Sequence, residues 1–249
     1  MFSSQELSHK HSLQTLTMLD NYGDFKSSIR NVLDIGCGKM FDLIYWADLT
    51  IEEDEGSRKL NIYSVGLDKK ITQNSPRDNI ELFEHDFNTN DQLPFKFTFD
   101  VVWCHDVLQY AHSPIQTLRQ INQVMSKDSM LYLCVPSTIN TVHNQFKNYT
   151  FSQQYNTFTL TQIIYLLALN GFDVKDAYFK KNKHEDCIEA IVYKNSDPLD
   201  YDTTWYQLAE QELLSENMSG IVNSIGYLTD NGLVTMWLNG EVFDYRYHT

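Results

Sequence analysis

Seven short runs of apolar, β-branched and aromatic residues punctuate the chain, at Asn31–Ile35, Ile62–Leu67, Ile80–His85, Phe99–Cys104, Met130–Val135, Phe172–Phe179 and Cys187–Tyr193. Each is too short for a helix and too continuously apolar for a half-exposed strand, so each reads as a strand buried on both faces. Between them, helical spacing predicts helices over Met40–Leu49, Ser113–Met125 and Thr159–Asn170, with another over Gln5–Leu19. The Thr159 helix carries an apolar face of Ile163, Leu166 and Leu167; Thr159 or Thr161 caps its start, and Gly171 closes it in a left-handed turn. This alternation predicts an α/β fold with a doubly wound, seven-stranded, mostly parallel sheet. The last two strands flank the polar stretch Lys180–Asp186, which reads as the solvated tip of an antiparallel pair at one edge.

Three segments fall outside that alternation. Thr50–Lys59 is acidic and reads as a loop. Ser137–Phe158 is polar, with Phe146, Tyr149, Phe151, Tyr155 and Phe158 interleaved. Ser196–Thr249 forms an extension beyond a first domain of residues 1–195. In it, Trp205, Leu208, Ala209 and Leu213 make one helical face. Asn239-Gly240, between Leu233–Leu238 and Glu241–Tyr247, is a type I′ hairpin signal. Trp237, Leu238 and Phe243 there suit either an extra core layer or a dimer contact.

Composition narrows the class. With 42% hydrophobic and 13% aromatic residues, the 249-residue chain has material for a real core. No stretch has the apolar length of a membrane span, and the first residues lack a signal peptide's basic and apolar regions. Four widely separated cysteines, Cys37, Cys104, Cys134 and Cys187, read as free buried thiols of a reducing, cytoplasmic compartment. The sequons at Asn148 and Asn217 then carry no meaning. No metal site is read from the spacing of ligand-type residues. The net charge of −14 repels phosphates and disfavours nucleic acid. From Ser196 onward there are nine acids and one base, Arg246, so the extension holds −8 of that charge. It would suit a basic protein partner or self-association.

The chemistry sits at the end of the first strand. Asp34-Ile35-Gly36-Cys37-Gly38-Lys39 links a strand to a helix through a tight glycine turn, the device by which α/β folds let backbone approach a nucleotide-like ligand. A dinucleotide fingerprint would need a third glycine at position 41, which is Phe41. A phosphate-binding loop would need an earlier glycine, and Ser or Thr after Lys39. Neither pattern is met, and Asp-x-Gly-x-Gly suits a ligand without phosphates.

On these residues the chain resembles the class I, Rossmann-like, S-adenosylmethionine-dependent methyltransferases over about residues 30–195. Val32–Gly38 resembles the family's first motif. Gly66-Leu67-Asp68, Glu84-His85-Asp86-Phe87 and Phe99-Asp100-Val101-Val102 follow in the expected order, as does the span from Phe158-Thr159-Leu160 to Gly171-Phe172. The resemblance implies S-adenosylmethionine as cofactor. Asp68 would accept from both ribose hydroxyls and Asp86 from the adenine amino group, with the Phe87 amide on a ring nitrogen. Asp34 would face the methionine ammonium, Gly36, Cys37 and Gly38 would pass close to the methionine part, and Cys104 and His105 would touch it through backbone. Many members carry a third glycine where this chain has Met40, which leaves room for a weakened activity.

Methyl transfer from a sulfonium is an in-line displacement in which alignment does most of the work. If the acceptor must lose a proton, His105, Asp106, Tyr110 and His112 are the candidates that follow the fourth parallel strand. The chain lacks adjacent prolines and any proline followed by cysteine, the motif elements of two classes of DNA-base methylation. A small-molecule acceptor is therefore expected, with residues 137–158 as a lid. Two other readings stand beside it. One is a donor-binding interaction module that uses the acidic extension. The other rests on Lys39, Asp42-Leu43 and Trp46, which resemble the first motif of mRNA cap guanine-N7 methyltransferases, against the acidic charge.

Overall fold

A computed structural model describes residues 27–53, 56–89, 92–137, 154–182 and 187–228. Nine strands are seen there: β1 (Asn31–Ile35), β2 (Thr50–Glu53), β3 (Gly56–Lys59), β4 (Tyr63–Asp68), β5 (Ile80–Glu84), β6 (Phe99–His105), β7 (Met125–Pro136), β8 (Phe172–Asn182) and β9 (Cys187–Lys194). Five helices accompany them: α1 (Phe41–Ala47), α2 (Pro114–Gln123), α3 (Leu160–Leu169), α4 (Trp205–Glu210) and α5 (Glu216–Ile225). Seven strands form one sheet in the order β5-β4-β1-β6-β7-β9-β8. The pairs from β5 to β7 are parallel, while β9 runs antiparallel to both β7 and β8. This is the seven-stranded doubly wound sheet that the apolar runs predict.

Because side chains alternate across a strand, each central strand feeds two cores. Leu33, Val102 and Leu131 pack with Leu118 and Ile121 of α2 and Ile163 and Leu167 of α3. Val32, Trp103 and Tyr132 point the other way and meet Trp46 of α1. Trp103 stacks on Tyr132 at a centroid distance of 3.8 Å, and Trp46 sets its edge on Trp103. Trp46 is thus a core anchor. All four cysteines are free and buried.

The structure departs from expectation in several places. Thr50–Lys59 is a two-stranded antiparallel hairpin, β2–β3, rather than a loop. Its charged residues hid the strand signal, and it is set beside a local ionic cluster in which Asp48 accepts from Lys59 and Arg77. β7 starts five residues earlier than its apolar run, through the polar turn residues Ser126–Ser129, where Asp128 takes a positive φ of 61°. Helix α5, capped by Ser215, has only Met218 and Val222 buried, an i,i+4 pair too sparse to stand out. The Gln5–Leu19 helix, the Asn239-Gly240 hairpin and most of the aromatic insert lie outside the described residues.

The extension is tied into the core. Leu208, Leu214, Met218, Val222 and Leu228 belong to the same apolar cluster as Leu33 and Val102. Its start is locked at Gly171, whose φ of +81° and a would-be Cβ only 2.3 Å from the Ser196 carbonyl allow no side chain. The Asn122 side-chain amide donates to the carbonyls of Asn170 and Ser196, which stitches α2, α3 and the extension together. No helix among the described residues is long and apolar enough to cross a membrane.

Candidate functional site

Strands β1, β4 and β6 end side by side, and Asp34, Asp68 and His105 come from those ends. The turn after β1 is pinned to β4 by the Gly36 and Cys37 amides, which donate to the Leu67 carbonyl at 2.7 and 3.2 Å. The Gly38 amide donates to Asp68 Oδ2 at 3.0 Å, so the carboxylate at the end of β4 organises the glycine turn while keeping acceptor capacity for a ligand. Gly36 has a φ of +76°, and an added Cβ would sit 2.3 Å from Val107 Cγ2. Only a glycine can let β1 turn beneath the segment that follows β6.

Met40 stands where a third glycine is common in the family. It keeps the left-handed conformation, with φ at 63°. Its side chain turns away from the turn into a small core with Cys37, Leu43, Ala47 and Ile80, and it is 3% exposed. Met40 thus carries the cost of a left-handed backbone and makes buried contacts that a glycine could not.

The electrostatics of the turn are one-sided. Asp34 is 3% exposed, and burial, then Asp42 and Asp68, hold its carboxyl well above the usual carboxylate range. Among the described residues no cation pairs with it. The Cys37 thiol is raised by burial and by Asp34 and Asp68, and the buried Cys104 thiol is pushed up to about 12, chiefly by burial and then by Asp34. A pocket that raises these three buried acids favours a positive ligand.

A second group gathers around Asp86. Asp86 Oδ2 pairs with Lys69 Nζ at 2.8 Å, and the carboxylate accepts from the Asn88 amide. Lys69, then burial and Asn88, set the balance that holds the Asp86 carboxyl below its ordinary value. The Asn88 side chain bridges the Tyr110 carbonyl and the His112 amide at 3.0 and 2.6 Å. His112 meets Tyr155 edge to face at 4.7 Å, and Phe87 packs against the main core. So Asp86, Phe87, Tyr110 and His112 share one corner, while Asp34, Gly36, Cys37, Gly38, Asp68 and Cys104 share the other. The His105 imidazole lies on the opposite sheet face from Cys104, edge-on to Tyr132. Sequence reading passed over Lys69, Asn88 and Val107, since a lysine, an asparagine and a valine in loops have no distinguishing pattern. A groove of about 410 Å³ opens between Pro114, Asn156, Phe158 and Tyr165, at the N-terminal ends of α2 and α3.

A family model described as a methyltransferase domain matches residues 26–171. The chain belongs to that family. The match takes in the glycine turn, both acidic strand ends and helix α3 of this methyltransferase domain. No curated protein matches it. Solved structures are similar in fold. The plantazolicin methyltransferase BpumL, in complex with a monoazolic desmethylPZN analog and SAH, is 18% identical, with a TM-score of 0.55 over 77% of this chain and 86% of its own. A Haloferax volcanii complex of the Trm112 methyltransferase activator with a methyltransferase contributes a chain 15% identical, at TM-score 0.51 over 72% and 90% of the two chains. An O-methyltransferase family protein from Burkholderia thailandensis is 12% identical, at TM-score 0.51 over 76% and 57%. The methyltransferase domain therefore has the Rossmann-like sheet in which class I members work.

Proposed function

We propose that this methyltransferase domain transfers the methyl group of S-adenosylmethionine to a small-molecule acceptor. The carrying observation is the joint convergence of Asp34 and Asp68 on the Gly36–Gly38 turn. That site fits the donor chemically. The methionine part bears an ammonium and a sulfonium, and the buried Asp34 stands without a paired cation among the described residues. Asp68 presents a carboxylate at the strand end, as a ribose diol requires. When bound, the donor supplies an already activated methyl group on sulfur.

The protein's part is binding, orientation and exclusion of water. Asp34 would hold the ammonium end, Asp68 the ribose, and the backbone at Gly36, Cys37, Gly38, Cys104 and His105 the chain between them. Asp86 and the Phe87 amide would take the adenine edge, with Lys69 giving up part of its pairing. Tyr110 and His112 would line the acceptor side, with His112 as the candidate base where a proton must leave, whereas the His105 imidazole faces Tyr132 on the other side of the sheet. BpumL, solved with SAH and a monoazolic desmethylPZN analog, is a methyltransferase precedent on this fold.

The test is calorimetric titration with S-adenosylmethionine and S-adenosylhomocysteine, on the wild type and on Asp68→Ala. Micromolar binding by the wild type, weakened at least tenfold in the variant, is the expected result. Equal binding by both would remove Asp68 from the site. No binding by a folded wild type would sink the reading.

A further inference from the structure

A row of metal-ligating side chains crosses the sheet one step beyond the donor site. His105, Cys134 and Glu189 face one another across β6, β7 and β9 in direct register, so their side chains share one sheet face. Cys187 precedes Glu189 by two residues on that face. Ligand atoms of His105, Asp106 and Cys134 all lie within 4.8 Å of one another. Cys187 is the diagonal cross-strand neighbour of Cys134, and Cys187 Sγ approaches Glu189 Oε1 at 4.0 Å. Cys134, Cys187, Glu189 and His105 are all buried. Asp106 is the exposed member, held at a positive φ of 56° by its amide's bond to the Cys134 carbonyl, with Oδ2 at 4.0 Å from His105 Nε2.

We propose that His105, Cys134, Cys187 and Asp106 bind a zinc ion. The donor set is one nitrogen, two sulfurs and one carboxylate oxygen, which zinc accepts in tetrahedral geometry. Bonds of about 2.0–2.3 Å at a tetrahedral angle place ligand atoms roughly 3.3–3.8 Å apart. The ligand atoms of His105, Asp106 and Cys134, all within 4.8 Å of one another, close to that separation by side-chain rotation, and the Cys187 thiol on the same sheet face swings in about its own Cα–Cβ bond. Two thiolates set the site against magnesium or calcium, which prefer an all-oxygen shell. The ligands come from three strands far apart in sequence, and for that reason no spacing motif announces them. The site does not depend on the donor.

The full chain, reduced, metal-stripped and free of any histidine tag, would be titrated with Co(II) as an optical stand-in for zinc. The expected result is one equivalent of cobalt with a thiolate-to-metal charge-transfer band that zinc displaces. Cys134→Ser should lose most of that band. Asp106→Asn, at an exposed position that spares the core, should keep the band and weaken affinity by about tenfold or more. A folded wild type without the band would overturn the assignment, as would a Cys134→Ser protein with the band intact. Should Cys134→Ser not fold, unchanged cobalt affinity in Asp106→Asn would overturn it instead.

Discussion

At the scale of single residues, Asp34 makes donor binding a protonic event. A carboxyl held above its unfolded value contributes stability that is complete below the ordinary carboxylate range and is lost as pH rises through the raised value. A cationic ligand favours the ionised form and so releases a proton on binding. Donor affinity should therefore strengthen with pH, by up to about tenfold per pH unit, until Asp34 is ionised in the free protein. Calorimetry in two buffers of different ionisation enthalpy measures the proton count. Asp34→Asn should bring that count to zero and flatten the profile; an unchanged profile would assign the linkage elsewhere. Met40 offers a contest between two effects. Met40→Gly relieves a left-handed backbone worth about 1–2 kcal/mol. It also empties a buried methionine site worth about 2–5 kcal/mol. The cavity wins, and urea denaturation should show a net loss of about 1–3 kcal/mol. A gain would mean that the small core around Cys37 and Ile80 refills on its own.

At the scale of elements, helix α3 shows why much of the fold was legible. Thr159 accepts from the Gln162 amide while the Gln162 side chain accepts from the Thr159 amide, a reciprocal cap written in four consecutive letters. Thr159→Ala should cost about 1 kcal/mol in chemical denaturation, and Thr159→Ser much less. Equal losses in the two would point to methyl packing instead of capping. The parallel strands were legible for a related reason: burial on both faces leaves Val32-Leu33 or Val101–Cys104 no polar position to obscure them. Elements with mixed surroundings were not. The β2–β3 hairpin exposes charged side chains on β3, and α5 rests on two buried residues. The glycine turn and its acids were readable because each residue there sits at a strand end in fixed order. The Lys69–Asp86 pair and the His105–Asp106–Cys134 cluster depend on which strands lie beside which, and sequence spacing does not encode that.

At the scale of the whole molecule, the acidic extension is continuous with the sheet's apolar layer: Leu208, Met218 and Val222 belong to the one apolar cluster that also holds residues of β1, β6 and β7. Composition draws a boundary near Ser196 that packing does not respect. The synthesis of the protein follows from this. As the chain leaves a ribosome, every strand of the sheet emerges before α4 and α5 do, so the layer beneath α3 waits uncovered until the last quarter of the polypeptide is out. A nascent chain stalled at residue 195 should stay sensitive to protease and bind a hydrophobic dye, and one released past residue 228 should resist both. Resistance at the earlier stall would mean that the sheet closes its own core unaided. Timing, as much as contact, thus ties the extension to the sheet, because the apolar cluster that includes Leu33 of the first strand is complete only when Val222 and Leu228 arrive.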